Sequence, residues 1–185
     1  MVNNPDYFIY TDGSCIGNGK TNAKAGIGIY FGENDKRNTS RTFEGKQSNN
    51  TAELTAIIEA YKIAENDILA GKKIIFVTDS EYSIKCLTTY GKKQEATNWT
   101  EDIPNKVLVK YAYNLFKNKK NIGLKHIYSH TDSSDVHSVG NDNADKLANM
   151  AIGNNTQDKK SKTKHKIYLD VPFAEKDTAK SLGAK

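Results

Sequence analysis

Four carboxylates stand where a fold could gather them: Asp12, Glu53, Asp79 and Asp145. Asp12 closes the apolar run YFIYT and opens the glycine- and asparagine-rich DGSCIGNG, so it is expected where a strand gives way to a turn. Asp79 follows the second apolar run, KKIIFVT, while Glu53 and Asp145 are expected in the first turns of helices. In a sheet covered by helices, strand ends and helix starts share one rim, so the four side chains can converge. Four converging carboxylates cannot all stay ionised without compensation. Divalent cations supply it, and hard oxygen ligands with open positions suit magnesium or manganese.

Taken singly, each acid has an ordinary explanation. Asp12-Gly13 is a common turn pair, and Glu53, three residues after Asn50, fits the back half of a capping box. Asp79 or Ser80 could cap the helix that follows, and an acid early in a helix, as expected for Asp145, meets the positive end of the dipole. Only the conjunction favours chemistry.

The elements that must position them follow from periodicity. Runs at residues 7–11, 25–31 and 39–44, separated by turn clusters, predict a three-stranded antiparallel meander. Asn49-Asn50 opens a helix with Leu54, Ile57, Ile58, Tyr61, Ala64 and Ile68 at helical spacing and Gly71 as its stop. KKIIFVT is continuous enough for a strand buried on both faces and parallel to its neighbour. A short helix at 81–87 gives out at residues 88–91, and the polar stretch to Pro104, with an exposed-looking Trp99, reads as loop. A helix opened by Pro104-Asn105 carries Val107, Leu108, Tyr111, Leu115 and Phe116 as its stripe, and 122–128 is a last strand. A loop over HTDSSDVHSVGN then leads to a helix at 142–152. A mixed sheet flanked by helices follows.

The chain has 185 residues, of which 37% are hydrophobic and 26% charged, which describes a soluble domain with a sizeable core and some tail. No apolar run approaches the ~20 residues of a membrane span, and the N-terminus has no signal-like region. Cys15 and Cys86 have no metal spacing and suggest reduced thiols, so a cytoplasmic, intracellular location is expected, with no membrane partner. The net charge of +5 sits mostly in the tail: residues 1–153 hold 19 Lys and Arg against 18 Asp and Glu, residues 154–185 hold 8 against 4. Once four acids are committed to metal, the rest of the core surface is basic enough to matter for a phosphate backbone.

In this order and at these spacings, TDGSCIGNG, NNTAEL, FVTDSEY and HSVGNDNADKLAN resemble the type 1 ribonuclease H family over residues 5–153. The resemblance implies an α/β ribonuclease H-like fold: a five-stranded mixed sheet, the three-stranded meander plus two parallel strands, flanked by helices. It implies an endoribonuclease that hydrolyses the RNA strand of RNA–DNA hybrids with two magnesium ions, manganese being the alternative, leaving 3′-hydroxyl and 5′-phosphate ends. By motif, Asp12 would bridge both ions, Glu53 and Asp79 would complete one, and Asp145 the other. One ion would lower the pKa of the attacking water and the other stabilise the leaving oxygen of an in-line displacement. His130 matches the family's loop histidine, which assists proton transfer or product departure, with His137 as the competitor in a lengthened loop. No small-molecule cofactor and a monomer are expected.

Hybrid specificity needs readers of 2′-hydroxyls in a shallow minor groove. The resemblance assigns these contacts to Cys15, Gly17, Asn18, Asn49, Asn50 and Glu53. It assigns a DNA-strand phosphate to Lys46, Ser48 and Asn105, although Asn105 could equally cap its helix. The chain departs from the family pattern twice. Glu81 adds an acid just after Asp79-Ser80, and the segment 90–104, at the place of a basic protrusion, is short and offset by Glu95, Glu101 and Asp102. Weaker hybrid affinity is expected from it, with Trp99 stacking or packing. The alternatives are a non-catalytic hybrid-binding module, against which all four acids argue, and a component of a larger nucleic-acid-processing machine on the same fold.

Residues 154–166 are polar and lysine-rich and read as a basic flexible linker. Residues 167–185 resemble the start of a small accessory domain that usually continues into a tryptophan-containing hairpin, so a short or truncated segment is expected there. If its lysines add non-specific attraction for nucleic acid, deleting residues 154–185 should weaken hybrid binding at low salt and flatten its salt dependence. Unchanged affinity at low salt would exclude that role.

Overall fold

The structure is a computed structural model and describes residues 2–128 and 135–154. Five strands form one sheet: β1 (Tyr7–Ile16), β2 (Lys24–Tyr30), β3 (Thr39–Thr42), β4 (Ile74–Thr78) and β5 (Ile122–His126), in the order β3-β2-β1-β4-β5. β1, β2 and β3 make the antiparallel meander, and β4 runs parallel to both β1 and β5. The expected architecture is therefore present.

β1 is longer than its apolar run. It stays paired with β2 as far as Ile16, so Asp12 lies within a strand, opposite Gly28. Pairing with β4 stops at Tyr10 and Val77. The strand ends only on its β4 side, where the two diverge, and a hairpin partner on the other side carries DGSCI onward as strand.

α1 (Asn49–Leu69) covers one face. Its start is set by Ser48, whose side chain accepts from the Thr51 backbone while the Thr51 hydroxyl accepts from the Ser48 backbone, a reciprocal capping box. Its end is a left-handed Gly71, with Gly71 N–H donating to Ile68 and Lys72 N–H to Asp67, the pattern that satisfies the last carbonyls. Leu54, Ile57, Ile58, Tyr61, Ala64 and Ile68 are all buried against Ile9, Ile27, Ile29 and Phe76 in the main core. Alternation along the strands turns Tyr10 and Val77 to the opposite face, where they meet Ala144 of α5 (Val136–Ala151).

Four expectations are corrected. A further helix, α3 (Thr89–Ala96), follows α2 (Glu81–Leu87) where loop was expected. Trp99 is not exposed: it is 6% accessible, packs 6.0 Å from the Tyr113 ring, and lies under Lys110. Glu95 clamps the segment by accepting from the Tyr113 hydroxyl and pairing with Lys117, so residues 90–104 fold back on α4 (Lys106–Phe116). On α4 the buried stripe is Val109, Ala112, Tyr113 and Phe116, leaving Val107 85% and Tyr111 46% exposed. α5 begins six residues before the expected 142, capped by Asp135. Gly140, which looks like a helix breaker in sequence, is there because the Tyr10 ring occupies the space a Cβ would need. Asp145 is consequently two turns beyond the helix start, away from the positive dipole end.

Among the described residues no helix is long and apolar enough to cross a membrane. The close approach of α5 to β2 makes a stability prediction. A Cβ on Gly28 would collide with the Ala144 carbonyl oxygen, and its neighbours are backbone that cannot rotate away. Gly28→Ala should destabilise by about 3 kcal/mol or more in urea unfolding, whereas Val107→Lys on the exposed face should change stability by no more than about 0.5 kcal/mol.

Candidate active site

Asp12 is 7% exposed and lies two residues beyond the last pair between β1 and β4, Tyr10 with Val77. Asp79 directly follows β4, and because Ser80 caps α2 by accepting from Ser83 N–H, the Asp79 carboxylate is not spent on capping. Glu53 is likewise relieved: Thr51 fills the capping box, so Glu53 in the second turn of α1 points elsewhere. A Cβ on Gly13 would collide with the Glu53 backbone nitrogen and come within 2.5 Å of the Ala52 carbonyl carbon. Glycine there lets α1 lie directly on β1.

The result is one cluster. Asp12, Glu53 and Asp79 each present a carboxylate oxygen within 4.8 Å of the others. Asp145 joins at Asp12, where its charge and a side-chain hydrogen bond both act. Burial, then the charges of Asp79 and Asp145, push the Asp12 pKa up to about 8, against a smaller opposing effect of the Gly13 N–H. Glu53 is raised well above its ordinary range, by burial first and then by Asp12 and Asp79. Its Oε2 is buried with no hydrogen-bond partner.

Two asparagines of α5, absent from the sequence expectations, orient the acids. Asn141 donates to Asp79 Oδ2 at 3.3 Å, and Asn149 donates to Asp145 Oδ1 at 2.7 Å. The only sequence signal for them was helical spacing from Asp145, four residues to each side, which becomes readable once α5 is known to start at Val136.

The expected substrate-facing residues divide. Asn18 Oδ1 accepts from Asn49 N–H at 3.2 Å, which brings the turn after β1, with left-handed Gly17 and Gly19, against the start of α1. The segments carrying Cys15, Gly17 and Asn18 and carrying Asn49 and Asn50 are thereby joined, the first following Asp12 in sequence and the second preceding Glu53. Ser48 is occupied as the α1 cap, and Lys46 holds that cap through its carbonyl, which accepts from Thr51. Asn105 stands at the α4 N-cap position, but its side chain makes no cap hydrogen bond; it takes a left-handed backbone conformation and donates to the Tyr82 hydroxyl at 3.2 Å. Beside it runs a groove from Asn50 past Tyr82 and Tyr90 to Pro104, edged by Lys85 and Lys93. Glu81 turns away and pairs with Lys85, so the extra acid stays outside the cluster.

His130 lies outside the described residues. His137 is not a loop residue: in the first turn of α5 it packs edge-on against Phe8 at 4.7 Å, with Nδ1 3.2 Å from the Tyr10 hydroxyl. Burial, and next the charge of Lys125, lower its pKa. It reads as a packing residue rather than a solvated one.

A family model described as RNase H matches residues 4–153, and one described as a domain of unknown function matches residues 166–185, outside the described residues. The chain is 38% identical over 145 residues to a protein named ribonuclease H from Schizosaccharomyces pombe, covering 76% of this chain and 50% of that protein. It is 32% identical over 150 residues to one named probable ribonuclease H from Acanthamoeba polyphaga mimivirus, covering 78% and 65%. The chain thus spans about half to two thirds of the length of these relatives. Among solved structures, the solution structure of the PFV RNase H domain has a TM-score of 0.61 at 22% identity, covering 78% of this chain and 93% of that one. At that identity the likeness speaks to the fold.

Hard oxygens on two carboxyls whose pKa values are raised by burial and mutual repulsion, with one buried oxygen lacking any hydrogen-bond partner, suit a divalent cation. Without metal the cluster costs stability. The folded state keeps the Asp12 proton up to about pH 8, whereas the unfolded chain releases it near 3.8, so the folded state binds more protons across that window and loses stability as pH rises through it. In a chelator-containing buffer, Asp12→Asn should therefore be the more stable protein at pH 8, by on the order of a few kcal/mol, with the gap closing toward pH 4 in urea unfolding. Parallel pH profiles for the two proteins would contradict this account.

Proposed function

The chain belongs to the ribonuclease H family, and from that premise we propose that it is an endoribonuclease that cuts the RNA strand of RNA–DNA hybrids, leaving 3′-hydroxyl and 5′-phosphate ends. The family uses divalent metal; magnesium, with manganese as substitute, is the proposed ion. The observation that carries the reading is the meeting of four acids around buried Asp12, beside a backbone-lined surface formed by residues 15–18 and 49–50.

Asp12, Glu53 and Asp79 would hold one ion, and Asp12 with Asp145 the other. Bound there, the ions supply a more acidic water and neutralise charge on the leaving oxygen. The chain's own residues do the rest. Asn141 and Asn149 orient Asp79 and Asp145. Gly13 brings Glu53 to the site. His130 is proposed to carry a proton during turnover.

Cys15, Gly17, Asn18, Asn49 and Asn50, with Glu53, would feel the 2′-hydroxyls of the RNA strand through short polar groups and backbone. Lys46 and Asn105, assisted by Ser48, would grip a phosphate of the DNA strand. The buried Trp99 leaves hybrid stacking to other residues, and weaker hybrid affinity from the segment 90–104 is part of the reading. Residues 1–153 would form the catalytic domain, 154–166 a linker and 167–185 an accessory segment, in a monomeric intracellular protein.

The test is incubation of labelled hybrid, double-stranded RNA and double-stranded DNA side by side with magnesium. Only the RNA strand of the hybrid should be cut. Asp79→Asn should lower that cleavage by more than about 100-fold while hybrid binding persists. Hybrid binding by the unsubstituted protein without any cleavage would replace the enzyme by a non-catalytic hybrid-binding module.

A further inference from the structure

Asp145 is the one acid of the four that stands on the far-face helix, and a chain of hydrogen bonds ties it back to β1. Asn149 Nδ2 donates to Asp145 Oδ1 at 2.7 Å and to the Asp145 carbonyl at 3.0 Å. Both partners are pure acceptors, so the amide can only sit with its nitrogen toward Asp145. Its Oδ1 then accepts from Ser14 Oγ at 2.9 Å and from Asn154 Nδ2 at 2.8 Å. Asn149 is 7% exposed, so its amide is ordered by protein rather than by solvent.

Ser14 lies two residues beyond Asp12 on the same strand, and the period of two turns both toward α5. The Ser14–Asn149–Asp145 chain therefore measures the position of Asp145 from the strand that carries Asp12. The helix meets β2 through Gly26 and Gly28, which face the backbone of Ala144 and Ala148 and the side chains of Ala151 and Ile152 and set its distance rather than the rotation of one carboxylate.

Resting on the functional reading above, we infer that Asn149 is a positioning residue for the cation at Asp12 and Asp145: it holds the Asp145 carboxylate in a fixed rotamer, and Ser14 holds Asn149. The hydrogen bond to Oδ1 fixes which face of the carboxylate is turned toward Asp12. Its loss leaves Asp145 in place on the helix but removes one of the bonds that fix its rotamer, so cation affinity falls although every ligand is present. Amides and hydroxyls beside a metal ligand act in this way, and their removal typically costs about 10–100-fold in affinity or activity.

The experiment is a Mn2+ titration of the full chain without nucleic acid, followed by electron paramagnetic resonance, on the unsubstituted protein, Asn149→Leu and Ser14→Ala. Magnesium dependence of hybrid cleavage is measured on the same three proteins. Asn149→Leu should weaken Mn2+ binding about 10-fold or more and raise the magnesium needed for half-maximal cleavage in proportion. Ser14→Ala, which removes the tether but keeps the donor, should shift both in the same direction by about threefold. Should Asn149→Leu fail to fold, as judged by circular dichroism, the Ser14→Ala shift decides alone. Equal Mn2+ affinity of the folded variants and the unsubstituted protein overturns the inference, whether or not the hybrid is cut. A Mn2+ difference in a protein that cuts no hybrid supports the tether and sinks the nuclease reading instead.

Discussion

Two positions without side chains, Gly13 and Gly28, set the distance at which helices can lie on β1 and β2. Gly13 faces α1 and Gly28, paired with Asp12, faces α5. At each, a single methyl group would collide with helix backbone rather than with a side chain that could move. Asp12 is next to Gly13 in sequence and opposite Gly28 in register. Because both helices press on the sheet at the same level, Glu53 from one and Asp145 from the other reach the same carboxylate.

Capping decides which acids remain available for chemistry. Helix starts need acceptors for their first N–H groups, and at each start near the site a neighbour meets that need. Ser48 with Thr51 caps α1, Ser80 caps α2, and Asp135 caps α5. Glu53, Asp79 and Asp145 are thereby kept out of ordinary structural roles that their types suit well. Two of the acids are then oriented by donors from α5, Asn141 toward Asp79 and Asn149 toward Asp145.

The gathered carboxylates oppose folding in the absence of a cation. Burial and repulsion raise Asp12 and Glu53 far from their ordinary values, the signature of groups arranged for a task other than stability. The opposing term is a main core built from α1, α4 and the strand faces carrying Ile9, Ile27, Ile29 and Phe76. Trp99 and Tyr113 extend it under the segment that would otherwise protrude.

Much was legible in the residues themselves. The meander, the doubly buried β4, the α1 stripe from Leu54 to Ile68 and the order of elements all follow from hydrophobic period, which is a local property. The four acids are legible as well, Asp12 and Asp79 because each ends an apolar run, and Glu53 and Asp145 through their conjunction with those two. Several features depended on contacts distant in sequence. Asp12 lies within a strand because β2 pairs beyond β4, and α5 runs through Gly140 because Tyr10 fills the glycine's space. Trp99 is buried because Tyr113 lies beneath it. Asn141 and Asn149 could not be told from surface amides until the rotation of α5 turned them inward. Sequence by itself determined which groups are available and which elements carry them. Tertiary structure decided which of them meet, since that depends on helix spacing and rotation set by glycines and ring contacts far along the chain.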